Sequence, residues 1–387
     1  LDAGIAFTDE ITAIGDLRLH IDLEAIAPVG SIVWAPTDVL RQDGTPHPGC
    51  TRGALTAATT RLRGAGVEAL VGHELELVLV QPDGSPLPGS SWVPYGLGGL
   101  LDHERLVADL HAALGDVGIV LEQLHAEYGA SQLEMSLPPR EPVAAADAAV
   151  LAKLVIGRVA RTHGLLPSFS PAPFAGSVGN GAHQHLSLTR AGEPLFSGGD
   201  GPHGLTADGG AAIGGILRGL RDVQGVLGGS ILSAARLAPG GWSGAFDGWG
   251  LENREAAVRF VAGGPANPHG ANVEVKIVDP SANVYTATAA LLGLVLDGID
   301  SGATLPDELD TDPSQLDDEA REAGGFTMLP NDPGTVIDTL DRSSLARRLL
   351  GDAIVDATVA VRRHELTAFA DLSPEELAAR LRLAWTI

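Results

Sequence analysis

Four short segments of the chain alternate polar and apolar residues, a pattern typical of β-strands that bury one face. In residues 73–80, for example, Glu74 and Glu76 share one face while leucines occupy the other. A single strand of this kind usually turns its polar face to water. Here the polar faces consist largely of Glu and His, so we expect them to line one common cleft. The four segments are residues 73–80, 132–137, 182–188 and 272–277.

The polar faces of these segments, together with Glu127 just before the segment 132–137, supply five Glu and two His. Converging carboxylates repel one another, which raises their pKa values unless cations neutralise them. Mg²⁺ and Mn²⁺ take oxygen ligands, Mg²⁺ is usually held partly by phosphate oxygens, and Mn²⁺ accepts an imidazole more readily. We therefore predict a cleft that binds divalent metal ions and a nucleotide.

The charge balance narrows the choice of partners. Of 387 residues, 25 are Lys or Arg and 49 are Asp or Glu, which gives a formal net charge of −24. This charge argues against a broad nucleic-acid surface, and no apolar run approaches the roughly 20 residues that span a bilayer. The single Cys50 excludes a disulfide framework and a thiolate zinc cluster. No signal-like segment opens the chain, so we expect a cytoplasmic protein, although Leu1 stands where Met would begin a complete chain.

The hydrophobic pattern divides the chain into two lobes. Short alternating runs in residues 17–22 and 31–34 predict a small β-rich lobe, and a helix is predicted over residues 52–63. Beyond Gly72, strands alternate with long helical stretches rich in Ala and Leu. The longest of these helices are predicted over residues 102–114, 142–161 and 210–227.

Arg236, Arg254 and Arg259 lie beside Gly and Trp residues in a chain that is poor in cations. An isolated Arg is more often part of a surface ion pair. The planar guanidinium is nevertheless well suited to bidentate binding of a carboxylate or phosphate. Gly179 and Gly181, just before the segment with two His, would let a ligand approach the backbone closely. These residues favour an anion-binding site.

Five ordered blocks between residues 72 and 292 resemble glutamine synthetase: GHELELVLV, AEYGASQLEMSLPP, GNGAHQHLSL, ENREAAVRF and NVEVKIVDPSANVYTATAALL. The resemblance implies an α+β fold with a small N-terminal β-grasp domain over residues 1–70 and a larger catalytic domain over residues 71–387. In that catalytic domain a curved antiparallel sheet is surrounded by helices. The resemblance also implies ATP-dependent ligation, in which a carboxylate is phosphorylated to an acyl phosphate and then attacked by an amine.

The resemblance implies ATP and two or three Mg²⁺ or Mn²⁺ ions as cofactors, with six protein ligands for two of the ions. The ligands of the first ion are Glu76, Glu127 and Glu134. The ligands of the second ion are Glu74, His183 and Glu274. All six residue types are present at the matching positions, in agreement with the argument from converging carboxylates.

Other matching positions are expected to contact the substrates. The residues expected at the acid and amine substrates are Arg236, Gly179 and Trp242. Those expected at the nucleotide are His185, Ser187 and Arg259. Those expected to stabilise the transferring phosphoryl group are Arg254, Arg259 and Lys276. Phosphoryl transfer is catalysed mainly by positioning and charge neutralisation, which such cations supply.

The chain departs from the family pattern around the amine. The usual Arg-Ile-Glu-Val-Arg stretch is NVEVK here, so Asn272 replaces one guanidinium and the ammonium of Lys276 replaces the other. The flap that usually carries a Glu for deprotonating ammonium is Pro-Gly-Gly-Trp-Ser-Gly, residues 239–244. The N-terminal Asp of the ammonium site has no clear match beyond Asp2, and Val178 replaces the Asn of the glutamate loop. We interpret the ammonia pocket as rebuilt, with Trp242 either stacking over an organic amine or packing the flap against the core.

These features predict a ligase that joins the γ-carboxylate of glutamate, or of a similar acid, to an amine. The sequence WGLENR also resembles the branch of the family that uses polyamines or ethanolamine. Two alternatives are a glutamine synthetase that uses ammonia and a non-catalytic relative kept for assembly or regulation. The resemblance further implies a homo-oligomer of stacked rings, similar to a dodecamer, in which the β-grasp lobe of one subunit completes the cleft of its neighbour. The expected partners are small-molecule acid and amine substrates, without nucleic acid or membrane.

Overall fold

The computed structural model describes residues 7–89 and 92–385, which contain thirteen β-strands. The strands are β1 (Arg18–Ile21), β2 (Ala27–Val29), β3 (Ile32–Trp34), β4 (Thr37–Leu40), β5 (Val67–Val80), β6 (Gln123–Ala126), β7 (Gln132–Ser136), β8 (Leu166–Ser168), β9 (Gln184–Arg190), β10 (Glu193–Pro194), β11 (Phe246–Leu251), β12 (Ala256–Val261) and β13 (Asn272–Val275). In the N-terminal part, β1 pairs with β4 and β2 pairs with β3, both antiparallel. These pairs form the small β-rich lobe predicted from the alternating runs.

The other nine strands form one large sheet in the order β11-β12-β13-β9-β5-β7-β6, with β8 beside β5 and β10 beside β9. Neighbouring strands are antiparallel except for β11 and β12, which are parallel. The long strand β5 pairs with β9 through residues 67–73 and with β7 through residues 74–78. It therefore joins the two halves of the sheet.

Helices cover the sheet and close the chain. They are α1 (Thr51–Gly64), α2 (Leu97–Asp102), α3 (Glu104–Asp116), α4 (Pro142–Thr162), α5 (Ala207–Leu227), α6 (Val284–Ser301), α7 (Asp318–Ala323), α8 (Pro333–Arg342), α9 (Ser344–Leu350), α10 (Asp352–Ala368) and α11 (Pro374–Leu381). The helix predicted over residues 102–114 is α3, which begins later because His103 has non-helical backbone angles and separates it from α2. Within the described ranges, only α6 is long and apolar enough to cross a membrane, and 61% of it is buried, as in a core helix.

The apolar faces predicted for the four strands are buried in two hydrophobic cores. The leucines of β5 and the apolar residues of β7 pack with α3 and α4 in one core. Those of β9 and β13 pack with α1, α5 and α6 in another. The chain thus has the predicted α+β class, with antiparallel N-terminal strands and a large sheet flanked by helices. The domain boundary between residues 70 and 71 stays a prediction.

Candidate active site

The polar faces of β5, β7, β9 and β13 line one cleft with a volume of about 1520 Å³. Strand register explains the convergence, because Glu76 lies opposite Glu134 and Glu274 lies opposite His185. Side chains directly opposite one another in an antiparallel pair are close enough to interact. All the site residues predicted from the sequence line this cleft.

One cluster in the cleft joins the three residues expected around the second metal ion. His183 Nδ1 lies 2.8 Å from Glu74 Oε2 and 3.1 Å from Glu274 Oε1. His185 Nε2 lies 3.2 Å from Glu74 Oε1, and single ligand atoms of Glu74, His185 and Glu274 lie within 4.8 Å of one another. His185, expected at the nucleotide, is therefore placed within reach of the same ion, while Ser187 lines the cleft two residues further along β9.

The carboxylates of this cluster are kept ionised by their neighbours. Burial alone would raise the pKa of Glu74, but hydrogen bonds from His183 and His185 lower it below its ordinary value. Burial likewise opposes ionisation of Glu274, yet Lys276 and His183 hold the pKa of Glu274 well below its usual range. Burial disfavours the charged form of His185, whereas its contact with Glu74 raises the His185 pKa to about 9. Ionised carboxylates are the form that binds a metal ion.

A second cluster contains two of the three residues expected around the first metal ion, Glu127 and Glu134, together with His125, and Glu76 lies opposite Glu134 on β5. Single ligand atoms of His125, Glu127 and Glu134 lie within 4.8 Å of one another, and His125 Nε2 is 3.5 Å from Glu134 Oε1. Burial, then the charges of Glu134 and Glu76, raise the pKa of Glu127 to about 7. Burial also raises the pKa of Glu76. Crowded carboxylates with raised pKa values fit a divalent cation, which would relieve their repulsion.

His125 is a candidate ligand that the sequence analysis misses. It lies on β6, two residues before Glu127, and β6 pairs antiparallel with β7 so that His125 stands opposite Glu134. The signal was present in the sequence, because Gln123, His125 and Glu127 continue the alternation that marks the other strands. Extending the pattern backwards across Glu127 would have found it.

The buried Gln132 ties the carboxylates to the glycine segment before β9. Its Nε2 donates hydrogen bonds to Glu76 Oε2 at 2.8 Å, to the carbonyl of Gly179 at 2.9 Å and to Asn180 Oδ1 at 3.0 Å. A Cβ atom at Gly181 would lie 2.6 Å from Glu76 Oε1, so a side chain there would displace the Glu76 carboxylate. The glycine segment is therefore fixed directly against Glu76, one of the residues expected around the first metal ion.

Arg236 lines the cleft and has one guanidinium nitrogen without a hydrogen-bond partner in the described residues. Its Nη2 donates to the carbonyl of Lys276 at 2.9 Å and to His183 Nε2 at 3.0 Å. Its Nη1 is buried and has no hydrogen-bond partner within residues 7–89 and 92–385. An unpaired buried donor is costly, and a substrate carboxylate in the cleft would satisfy it. A Cβ atom at Gly179 would lie 2.4 Å from the carbonyl oxygen of Pro171 and 3.0 Å from Arg236 Cγ, so a glycine lets the backbone pack directly against the Arg236 side chain.

Two cations surround the carboxylate of Glu274. Lys276 Nζ donates to Glu274 Oε1 at 2.9 Å, and Arg259 Nη1 donates to Glu274 Oε2 at 3.1 Å. Arg259 also pairs with Glu252, in the turn between β11 and β12. The structure therefore holds these two predicted phosphate-contacting residues against a candidate metal ligand, at the wall of the cleft.

Residues 239–244 are called the Trp242 loop below, and residues 239–243 of this loop line the cleft together with Arg236. The Trp242 side chain is 51% exposed, and the guanidinium carbon of Arg254 lies 5.7 Å from its ring centroid, a cation–π distance. The Ser243 hydroxyl is buried and has no hydrogen-bond partner in the described parts of the chain. In this structure the indole thus contacts Arg254 at the cleft.

Comparisons with known proteins agree with this geometry. The family model of the glutamine synthetase catalytic domain matches residues 48–379. The chain is 38% identical over 392 residues to the gamma-glutamylpolyamine synthetase GlnA3 of Streptomyces coelicolor, a match that covers 98% of this chain and 84% of that protein. It is 33% identical over 317 residues to the glutamine synthetase of Pyrococcus horikoshii, covering 81% of this chain and 70% of that one.

Two solved structures share the fold over nearly the whole chain. A crystal structure of a novel glutamine synthase homolog matches with a TM-score of 0.85 and 29% identity, covering 97% of this chain and 87% of the other. A complex of GmaS with ADP matches with a TM-score of 0.85 and 28% identity, covering 96% and 87%. The chain belongs to the glutamine synthetase family of ATP-dependent ligases.

Proposed function

We propose that this protein joins the γ-carboxylate of glutamate, or of a similar acid, to an organic amine in an ATP-dependent reaction. The observation that carries the proposal is the Trp242 loop, which lines the cleft with an indole and a hydroxyl and contains no carboxylate. Ammonium needs a desolvated pocket that binds it and removes a proton, whereas an alkylammonium group is also stabilised by an aromatic face. Similarity to a gamma-glutamylpolyamine synthetase supports the proposal.

Two or three divalent ions, Mg²⁺ or Mn²⁺, would bind at the two clusters. The family uses ATP with divalent metals, and the donor sets described above fit such ions. The ligands of the first would be Glu76, Glu127 and Glu134, with His125 in reach, and those of the second Glu74, His183 and Glu274. When bound, the ions would neutralise charge on the phosphoryl oxygens of ATP. The imidazoles in both clusters favour Mn²⁺ over Mg²⁺.

The cations of the cleft have separate proposed roles. Arg236 binds the carboxylate of the acid through its unpaired Nη1, beside the backbone of Gly179, which also lines the cleft. Arg254, Arg259 and Lys276 offset negative charge on the transferring phosphoryl group. His185 and Ser187, with Arg259, contact the nucleotide. The carboxylate oxygen attacks the γ-phosphorus and ADP leaves. The amine, as its free base, then attacks the acyl carbon and gives up one N–H proton, and phosphate departs with that proton and with the oxygen it received.

A ring-shaped homo-oligomer is also part of this proposal. Large apolar side chains are exposed on the small N-terminal lobe, and such a patch is unusual on a monomer. They are Leu17, Leu19, Ile21, Leu23, Ile32 and Val33. A neighbouring subunit would cover them in the stacked-ring assembly that the family resemblance implies. A cytoplasmic location stays a prediction from the sequence.

A panel of amines tests the proposed function. We expect an organic amine to exceed ammonium roughly tenfold in kcat/KM, because cation–π contact contributes about 0.5 to 2 kcal/mol. ADP release would be measured with glutamate and either ammonium, ethanolamine, putrescine, spermidine or an aromatic amine, and the amide product would be identified by mass. Replacing Trp242→Ala should lower kcat/KM for the preferred amine and leave the value for ammonium within about twofold. The highest efficiency with ammonium would identify a glutamine synthetase instead.

A further inference from the structure

Resting on the proposed function, we propose that Glu255 is a positioning residue that holds the Trp242 loop over the cleft and so keeps water from the activated acid. Glu255 is the first residue beyond Arg254 in the turn that joins β11 to β12, and no role was assigned to it from the sequence. Its side chain contacts the backbone of the loop and does not itself line the cleft. In this role Glu255 protects the activated acid from water and takes no part in the chemical steps.

The carboxylate of Glu255 accepts one backbone hydrogen bond on each oxygen. Oε1 accepts from the N–H of Trp242 at 2.8 Å, and Oε2 accepts from the N–H of Gly240 at 3.1 Å. The residue is only 2% exposed, so these bonds are shielded from competing water. Hydrogen bonds to a charged group contribute more than neutral ones. One side chain thus fixes the loop at two points.

Glu255 is itself held firmly. Its N–H donates to Asn253 Oδ1 at 3.0 Å, and its carbonyl accepts from the N–H of Phe246 at 3.2 Å. Asn253 Nδ2 donates to the carbonyls of Leu309 and Thr311 at 2.8 and 2.9 Å. Glu255 is therefore held in place by Phe246 at the edge of the sheet and, through Asn253, by residues 309 and 311. None of these residues belongs to the Trp242 loop.

The backbone of the Trp242 loop needs such an anchor. Trp242 has a φ of 50°, in the left-handed region that costs a residue with a side chain of order 1 to 3 kcal/mol. A Cβ atom at Gly244 would lie 2.7 Å from Lys276 Cβ, so the loop ends directly against Lys276, the residue after β13. Arg254, the residue before Glu255 in the turn, lies over the Trp242 ring. The turn between β11 and β12 therefore contacts both the backbone and the side chain of Trp242.

A direct chemical role for Glu255 does not fit this geometry. Both oxygens are engaged by backbone N–H groups, and the described residues that line the cleft do not include it. It therefore does not replace the acid that is missing from the loop. Holding the loop has a chemical consequence, however, because water can attack the acyl carbon of an acyl phosphate in place of the amine. That side reaction yields the free acid, phosphate and ADP without forming an amide bond.

The test is the variant Glu255→Gln. The quantity measured is the coupling of the reaction, which is the ratio of amide product to ADP. The amide keeps one acceptor but presents N–H groups to the other backbone donor, so one of the two bonds is lost. The loss of a charge-assisted bond shifts the closed loop toward the open form roughly 10- to 100-fold. We expect the ratio of amide product to ADP to fall from near one to below about one half. ADP release without amine should rise severalfold, and the KM for the acid should stay within about twofold.

A matched control and a second measurement keep the outcomes distinct. Glu365→Gln removes charge from a carboxylate that is 3% exposed, pairs with Arg362 on α10 and lies outside the cleft lining, and it should leave coupling near one. If Glu255→Gln does not fold, hydrogen exchange in the wild type gives the answer, because the Gly240 and Trp242 amides should be protected. Full coupling in Glu255→Gln, or rapid exchange at those amides, overturns the inference and leaves the proposed function standing. A wild type that forms no amide with any amine overturns both.

Discussion

Glu134→Ala should lower turnover at least about 100-fold and weaken Mn²⁺ binding. Glu134 stands opposite Glu76 across the β5–β7 pair and shares a cluster with His125 and Glu127. Even partners that only orient metal ligands typically cost 10- to 100-fold when they are removed, so a ligand itself should cost more. The side chain lies at the cleft surface and not in a hydrophobic core, so the variant should fold. Mn²⁺ binding by calorimetry gives a readout that does not depend on turnover.

The control for this prediction is Glu68→Ala. Glu68 lies on β5, the strand that carries Glu74 and Glu76, but it is exposed and does not line the cleft. It should retain wild-type activity and Mn²⁺ affinity. If Glu134→Ala binds Mn²⁺ and turns over like the wild type, the metal assignment of this cluster is wrong.

Arg236→Lys should raise the KM for the acid substrate roughly 10- to 100-fold. The unpaired Nη1 of Arg236 is the buried donor that a substrate carboxylate would satisfy, and lysine keeps the charge but loses the planar pair of donors. Hydrogen bonds to charged groups contribute about 1.5 to 3 kcal/mol, which corresponds to this range. The KM for ATP and the affinity for Mn²⁺ should change far less.

Thermal unfolding separates a binding role from a structural one in Arg236→Lys. The wild-type Nη2 also bonds to Lys276 and His183, so some loss of stability is expected. A lower midpoint with an unchanged KM for the acid would show that Arg236 only supports the structure of the cleft. A raised KM in a folded variant supports carboxylate binding.

The sequence predicts the sheet and much of the cleft because both follow from local pattern. Alternation in β5 places Glu74 and Glu76 on one face and leucines in the core, and the other three strands repeat the arrangement. Five ordered blocks then give the family. The structure adds the register that sets Glu76 opposite Glu134 and Glu274 opposite His185.

Other parts of the site depend on contacts between distant segments. Gln132 reaches Gly179, and Glu255 reaches Trp242 across a loop, and neither pairing leaves a periodic signal. The neighbour of the Trp242 indole is likewise set by tertiary structure: the ring meets Arg254, where the sequence offered an amine or the core. In such cases the residue type indicates only that a side chain binds an anion or forms a hydrogen bond. The tertiary structure is needed to identify its partner.

The central claim is that the cleft activates an acid by phosphoryl transfer and then forms an amide with an amine. Glutamate labelled with ¹⁸O in both γ-carboxylate oxygens tests it directly, with ATP, Mn²⁺ and the preferred amine. The carboxylate oxygen that attacks the γ-phosphorus leaves with phosphate, so each molecule of amide formed should release one phosphate that carries one ¹⁸O atom. The amide carbonyl should keep the other. Amide formation that releases only unlabelled phosphate would contradict the account.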